Sequence, residues 1–280
     1  MTNTLISPQD LAAMDEVVVI DTRAPEAFGE GHIPGAVTCT RSSPSSPPRT
    51  PTATMMRDLH LSRGVDLREG LRVTRLVLGA DGAVAAAQLD DGSEVAADLV
   101  IVGIRGFAND DLARKAGLRC GEEPGGIHVD AFCRTEDPSI LAIGDVALFD
   151  VDGRGEMRLE SVQNACDQAR AAAATLLGET APYAPLPWFW SDQYDAKLQI
   201  AGLNHDADET LMRPGRRPGT GSVWYFRAGR FVAVDALSDP RAYMAGKRWL
   251  EKGVTPLKAQ LADPSVDFQE ISLADAAVHA

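Results

Sequence analysis

The sequence predicts an α/β protein whose C-terminal part forms a smaller α+β domain. Apolar runs typical of buried strands, at residues 17–21 (VVVID), 98–104 (DLVIVGI) and 140–145 (ILAIGD), alternate with helical segments. Two dipeptides, Asp81-Gly82 and Asp91-Gly92, separate further strand-like segments and predict hairpin turns. Towards the C-terminus several strand segments precede a single helix, which is the order expected of an α+β unit.

Composition and charge narrow the possible functions. The chain has 280 residues and is 45% hydrophobic, enough for one large or two ordinary domains with a proper core. A net charge of −13 argues against a nucleic-acid partner, which requires a basic surface. No apolar run approaches the length of about 18 residues that a membrane span needs.

The first residues and the cysteines indicate the compartment. The first residues lack the basic and apolar regions of a signal peptide. The four cysteines, Cys39, Cys120, Cys133 and Cys166, show no metal-binding spacing, so we expect no metal site and ordinary unpaired thiols. Unpaired thiols favour a cytoplasmic location.

Composition shifts divide the chain into five predicted segments. Residues 40–54 are rich in Ser, Thr and Pro and are predicted to be a linker. The other predicted segments are an N-terminal unit (1–39), a strand-rich α/β region (55–184), a small α+β domain (185–262) and a tail (263–280), of which ISLADAAVHA (271–280) is predicted to fray.

Within these segments, capping residues predict the main helices. One helix is expected from Met55 to Gly64, and a longer one over residues 160–177, stopped by Gly178. In the last domain a hairpin is expected around Ala228-Gly229.

The run ILAIGD predicts a strand that ends in a glycine followed by a carboxylate. In doubly wound sheets, ligands bind beyond the carboxyl ends of the strands. Gly144 allows a close backbone approach, and Asp145 could accept hydrogen bonds from ligand hydroxyls. The alternative is an ordinary Asp in a strand-to-loop turn.

Fifteen residues further on, LESVQNACDQ opens a helix. Glu160 and Ser161 suit its cap and Val162 its first turn, so free N–H groups could hold the electron-rich edge of a flavin. Trp188 and Trp190 are two residues apart and would share one face of a strand. A tryptophan there could cover a flat ring, although core packing is the commoner role of this residue.

Three stretches, TEDPSILAIGDVA, LESVQNACDQARAAA and PWFWSDQYDAKLQIAGL, closely resemble the C-terminal half of FAD-dependent NAD(P)H:ferredoxin reductases of the rubredoxin and putidaredoxin type. The resemblance covers about residues 55–260. It implies an incomplete FAD/NAD(P)-binding region, similar to pyridine nucleotide-disulfide reductases, followed by the reductase C-terminal domain. It also implies FAD as cofactor, NAD(P)H as substrate and a [2Fe-2S] ferredoxin as electron acceptor.

The resemblance also implies roles for individual residues. Asp145, after Gly144, would bind the ribityl chain of FAD, and Ser161 and Val162 would lie at the isoalloxazine edge. Glu160 and Trp190 would lie at the face shared by nicotinamide and flavin, as the catalytic pair.

The sequence departs from this family in two ways. The family's strand-turn-helix GxGxxG motifs for FAD and NADH are not found, since GEGHIPG (residues 29–35) does not directly follow a strand and has Pro34 where a helix should begin. Arg105 replaces a glycine of the family's VGIGxxPN motif. We therefore expect a rearranged or truncated reductase.

Residues 5–37 resemble the first half of a rhodanese domain, through VVVID followed by TRAPEAFGEGHIPGAV. This resemblance leaves open a sulfurtransferase that uses Cys39, although the chain enters the proline-rich linker where the catalytic loop should form. A third hypothesis is a non-enzymatic module that binds a ferredoxin, or that forms a homo- or hetero-oligomer through exposed apolar surface.

Overall fold

The computed structural model describes residues 50–102, 106–122, 125–179 and 181–275, together with the backbone of residues 17–21 and 36–38. The described strands fall into five sheets. The strands are β1 (Val17–Asp21), β2 (Ala36–Thr38), β3 (Val73–Leu78), β4 (Val84–Leu89), β5 (Glu94–Ala96), β6 (Leu99–Val102), β7 (Ile127–His128), β8 (Ala147–Asp150), β9 (Glu156–Met157), β10 (Trp188–Gln193), β11 (Ala196–Gly202), β12 (Glu209–Pro214), β13 (Gly221–Arg227), β14 (Arg230–Leu237), β15 (Val254–Pro256) and β16 (Leu273–Asp275). The described helices are α1 (Pro51–Ser62), α2 (Asp111–Lys115), α3 (Val162–Leu176), α4 (Pro240–Glu251) and α5 (Lys258–Ala262).

The first sheet is parallel and joins the N-terminal unit to the middle of the chain. Its strand order is β2-β1-β6, and Val17 in β1 pairs with Leu99 in β6. Two of the predicted apolar strands therefore lie side by side. Parallel pairing of long apolar runs is typical of sheets that are covered on both faces.

The next sheet is the antiparallel meander β3-β4-β5, which the two Asp-Gly pairs predict. Gly82 and Gly92 adopt φ values of 81° and 86°, a conformation that favours glycine and closes each turn tightly. Both predicted hairpins are confirmed.

Helix α1 begins earlier than predicted. Thr50 is its N-cap, since the Thr50 hydroxyl accepts a hydrogen bond from Ala53 N at 3.2 Å, and Pro51 occupies the first helical turn. The predicted linker over 40–54 is therefore wrong for residues 51–54. A Thr-Pro pair is a helix-start signal, and the surrounding Ser/Thr/Pro-rich composition obscured it.

The C-terminal domain is built on a five-stranded antiparallel sheet with the order β10-β11-β14-β13-β12. The predicted hairpin is confirmed, because Ala228 and Gly229 turn the chain from β13 to β14 with positive φ values. Helix α4 starts after Asp239, whose side chain accepts a hydrogen bond from Ala242 N, and it packs Trp249 against Trp224.

This domain extends beyond the boundary predicted at residue 262. Phe268 packs against Trp224, with 5.8 Å between the ring centroids, Ile271 is buried, and β16 pairs with β15. Residues 263–275 therefore belong to the core and edge of the domain. The predicted domain end at residue 262 is wrong, and the predicted fraying is wrong for residues 271–275. Phe268 and Ile271 are separated by polar residues in the sequence, and only the tertiary fold brings them together in the core. The other predicted segment boundaries stay predictions.

Helix α1 attaches the middle of the chain to the C-terminal sheet. Met56 clusters with Leu198, Ile200 and Leu237. Beside this apolar contact, the hydroxyl of Thr52 donates to the buried carboxylate of Asp235 at 2.6 Å.

None of the helices among the described residues combines the length and the apolar character that crossing a bilayer requires. The described residues also contain no group of three or more His, Cys, Asp or Glu side chains arranged to hold a metal ion.

Candidate flavin site

The predicted strand 140–145 is wrong in form, although it places Gly144 and Asp145 at a real turn. Leu141 makes only an isolated bridge with Arg134, and Gly144–Val146 form one turn of 3₁₀ helix that precedes β8. Gly144 has a φ of 75°, which reverses the chain direction before the run can pair as a strand. Asp145 is therefore the exposed second residue of this turn, before β8, and does not lie at the end of a strand.

Side chains of helix α3 hold this turn by hydrogen bonds. The backbone N–H of Gly144 donates to Gln168 Oε1 at 2.7 Å, and the same oxygen accepts from Asn164 Nδ2 at 3.3 Å. Gln168 and Asn164 are both buried. The backbone immediately before Asp145 is therefore held by Gln168, which Asn164 in turn orients, since buried polar groups must be paired.

The N-terminus of α3 faces the same region. Ser161 is the N-cap, as predicted, with an extended backbone and a hydroxyl that accepts from Asn164 N at 3.1 Å. Val162 follows and is 70% exposed, which is unusual for a valine. A helix N-terminus with an exposed apolar side chain can hold a ring that is flat, apolar on its faces and electron-rich at one edge.

An arginine with a largely covered side chain joins the pieces of the site. Arg158 Nη1 donates to the carbonyl of Asp145 at 2.8 Å, and Nη2 donates to the carbonyl of Gly106 at 3.5 Å. Nη2 also forms an ion pair with Glu160 Oε1 at 2.7 Å. We call Gly106, Asp145, Arg158 and Glu160 the Arg158 network. Glu160 thus lies near Asp145, but its carboxylate is engaged by Arg158.

The loop that precedes this network carries Phe107, whose side chain is 70% exposed. Phe107 and Val162 are large apolar side chains that the described residues leave uncovered close to the Arg158 network. Arg105, where the sequence departs from the family's VGIGxxPN motif, lies outside the described residues.

A second carboxylate, Asp110, holds the backbone at Gly126, which lies against the stem of Arg158. Asp110 Oδ2 accepts from the backbone N–H of Gly126 at 2.8 Å, and Arg114 forms a bidentate pair with Asp110. The Arg114 guanidinium and then the Gly126 N–H hold the pKa of the Asp110 carboxyl below its usual range. Asp110 therefore stays ionised and fixes the backbone at Gly126.

Trp190 is 44% exposed on β10 and stacks on Trp188, with 5.6 Å between centroids and an interplanar angle of 27°. The two rings share one face of the strand, as predicted. Lys247 lies over the Trp188 ring at 5.8 Å. Within the described part of the chain, Trp190 does not take part in the Arg158 network, so its pairing with Glu160 stays a prediction.

Three family models match the chain. Residues 188–272 match "Reductase C-terminal", residues 44–169 match "Pyridine nucleotide-disulphide oxidoreductase" and residues 7–68 match "Rhodanese-like domain". The reductase match extends past residue 262, as the fold does.

Curated relatives point to the same family. Rhodocoxin reductase of Rhodococcus erythropolis is 39% identical over 75% of this chain and 48% of its own length. Putidaredoxin reductase CamA of Pseudomonas putida is 35% identical over 79% of this chain and 52% of its own length. The chain is a homologue of the ferredoxin reductases. It spans about half the length of the curated relatives it matches.

Solved ferredoxin reductase structures confirm the predicted fold. The covalent putidaredoxin reductase–putidaredoxin complex matches with a TM-score of 0.80 and 29% identity, over 95% of this chain and 67% of that chain. The ferredoxin reductase for the CYP199A2 system from Rhodopseudomonas palustris matches with a TM-score of 0.74 and 31% identity, over 91% of this chain and 64% of that chain.

Sequence reasoning missed Arg158, Asn164 and Gln168 in this ferredoxin reductase homologue. Asn164 and Gln168 were detectable in principle, because their i,i+4 spacing puts them on one face of α3. Arg158 precedes Glu160 by two residues in an extended segment, so both side chains can point to the same side.

Proposed function

We propose that this chain holds the isoalloxazine and ribityl parts of FAD at the Gly144–Asp145 turn and the N-terminus of α3. Proteins of the two matched reductase families use FAD and NAD(P)H. The observation that carries the proposal is the convergence of an exposed carboxylate, a capped helix N-terminus and two uncovered apolar side chains around the Arg158 network. This donor set fits a flavin.

Each residue has a task in this proposal. The Asp145 carboxylate accepts hydrogen bonds from ribityl hydroxyls, which are worth about 1.5–3 kcal/mol for a charged acceptor. The N-terminal N–H groups of α3, opened by Ser161, stabilise negative charge at the pyrimidine edge. Val162 and Phe107 exclude water from the ring faces. When bound, FAD supplies hydride acceptance from NAD(P)H and single-electron transfer to an iron–sulfur partner.

We further propose that the electron acceptor is a [2Fe-2S] ferredoxin and that the protein works in the cytoplasm. The relatives are named as reductases of ferredoxin-type partners, and one matched structure is a reductase–putidaredoxin complex. The three described cysteines are unpaired thiols, which supports a reducing compartment. Trp190, exposed beside Trp188 on β10, is proposed as the aromatic side chain at the flavin face.

The activity is tested by anaerobic reduction of a [2Fe-2S] ferredoxin, followed by the loss of its visible absorption. The reaction contains the chain, FAD and either NADH or NADPH. We expect reduction faster than with free FAD, slower in Asp145→Ala and unchanged in Asp150→Ala, an exposed aspartate five residues away on β8. A rate equal to that of free FAD with both nucleotides would refute the proposed activity.

The rhodanese-like match over residues 7–68 favours one second candidate, sulfur transfer by Cys39. Cys39 lies outside the described residues. Thiosulfate-to-cyanide transfer that disappears in Cys39→Ala would support this function. We expect no transfer, because the proline-rich stretch follows Cys39 where the family's catalytic loop should form.

A third candidate is a module that binds a partner without catalysis, including another copy of the chain. The exposed Phe107 and Val162 are the surface that favours it. Size-exclusion chromatography with light scattering decides this point, since a monomer at all concentrations would argue against self-association.

A further inference from the structure

The low exposure of the Arg158 side chain requires an explanation. Its side chain is only 8% exposed, although it lies in the extended segment between β9 and α3. Burying a guanidinium is costly unless it is paired and hydrogen-bonded. Here the partners are one carboxylate, Glu160, and two backbone carbonyls, those of Gly106 and Asp145.

These three partners come from three separate parts of the chain. Gly106 lies before α2, Asp145 lies in the 3₁₀ turn before β8, and Glu160 immediately precedes the N-cap of α3. Only a planar group with several N–H donors in a fixed arrangement can reach all three at once. A lysine has the charge but not this geometry.

The backbone at Gly126 makes room for the arginine. A Cβ atom at Gly126 would lie 2.7 Å from Arg158 Cδ, closer than carbon atoms approach, and 3.2 Å from Cγ, which is a tight contact. The φ of 127° at Gly126 also disfavours any other residue. Asp110 accepts the Gly126 N–H and so fixes the backbone against which the aliphatic stem of Arg158 packs. The position of this stem is therefore set independently of the guanidinium contacts.

We propose that Arg158 is a positioning residue of the candidate flavin site. It binds the carbonyl of Asp145 and so directs the Asp145 carboxylate outward. It also binds the carbonyl of Gly106 and so holds the loop that carries Phe107. Its third contact is the ion pair with Glu160. The relevance of this arrangement to a ligand rests on the proposed FAD binding. The arrangement itself is a property of the chain and can be measured without FAD.

The test is hydrogen exchange by mass spectrometry on the full chain, with an FAD titration alongside. The variants are Arg158→Met, Arg158→Lys and the matched control Arg154→Met. Arg154 is equally buried, at 7% exposure, and likewise pairs with a carboxylate, that of Asp206, and donates to a carbonyl, that of Leu203. The control thus removes a similar interaction from a different place.

Both Arg158 variants should exchange about ten- to a hundredfold faster over residues 106–109 and 144–147, as expected when a hydrogen bond to a charged group is lost. Their FAD affinity should fall by a factor of the same order, about tenfold or more. Arg154→Met should leave both quantities at the parent values. Arg158→Lys keeps the charge and stem, so its effect reports the bridging geometry even if Arg158→Met folds poorly.

Other outcomes are equally decisive. Unchanged exchange in both segments, or an equal rise in Arg154→Met, would overturn the positioning role. Faster exchange with parent-like FAD affinity would overturn its relevance to the flavin. If the parent binds no FAD, the proposed function fails, while faster exchange confined to the two segments still supports the positioning of Gly106 and Asp145 by Arg158.

Discussion

One buried carboxyl group helps to attach α1 to the C-terminal sheet, and its replacement has a calculable effect. Asp235 Oδ2 accepts from the hydroxyls of Thr52 and Tyr225, each at 2.6 Å. Oδ1 is buried and has no hydrogen-bond partner among the described residues. Burial raises the pKa of Asp235 to about 6 from an ordinary value of 3.8.

The sign of the effect follows from proton binding. Because the folded state binds a proton on Asp235 more tightly than the unfolded chain, this group's contribution to stability is full below pH 3.8 and is lost as pH rises through 6. The difference of about two in pKa corresponds to about 3 kcal/mol. Asp235→Asn stays neutral and lacks this pH dependence.

The assay is urea unfolding of the parent and Asp235→Asn between pH 4 and pH 7.5. Relative to the variant, the parent should lose up to about 3 kcal/mol of unfolding free energy across this range. His60, whose pKa burial lowers to about 4, has the opposite effect but is present in both proteins and cancels. As a control, Asp90→Asn should show almost no pH-dependent difference from the parent in this range, because hydrogen bonding to Arg72 lowers the pKa of Asp90 and its contribution is lost only as pH falls below 3.8. A constant difference between the parent and Asp235→Asn at every pH would refute the reasoning.

Three further substitutions test the site and the core. Asp145→Ala should weaken FAD binding by about ten- to a hundredfold in a fluorescence titration, while Asp150→Ala should leave it unchanged. Trp190→Ala removes an exposed ring, so it should change the fluorescence of bound flavin and its reduction by NADH more than the dissociation constant; an equal loss of affinity in Trp190→Ala and Asp145→Ala would contradict this division of roles. Gly246→Ala should destabilise the C-terminal domain by about 1–3 kcal/mol in urea, because its Cβ would lie 2.5 Å from Val234 Cγ1; a parent-like midpoint would show that α4 can shift freely.

Local signals in the sequence predicted much of the fold. The turns at Asp81-Gly82, Asp91-Gly92 and Ala228-Gly229 each depend on a glycine, which tolerates positive φ, and each forms where expected. Ser161 was recognisable as an N-cap because capping is also a local signal, which joins atoms only three residues apart.

The errors arose where long-range contacts decide the structure. The apolar run before Asp145 has the composition of a strand, but Gly144 turns the chain and Gln168, 24 residues away, binds its N–H. Periodicity cannot reveal such a partner. Arg158 was missed likewise, because its contact with Gly106 spans 52 residues. The site residues were therefore predictable as candidates, whereas the long-range contacts of Gln168 and Arg158 that hold them in place were not.

The central claim is that this chain itself provides a flavin site. The most direct measurement is an equilibrium titration of the purified 280-residue protein with FAD, following the quenching of flavin fluorescence and the shape of its absorption bands. We predict saturable binding of one FAD per chain, with an absorption spectrum that differs from that of free FAD. Flavin fluorescence that stays at the value of free FAD at every protein concentration would contradict the claim.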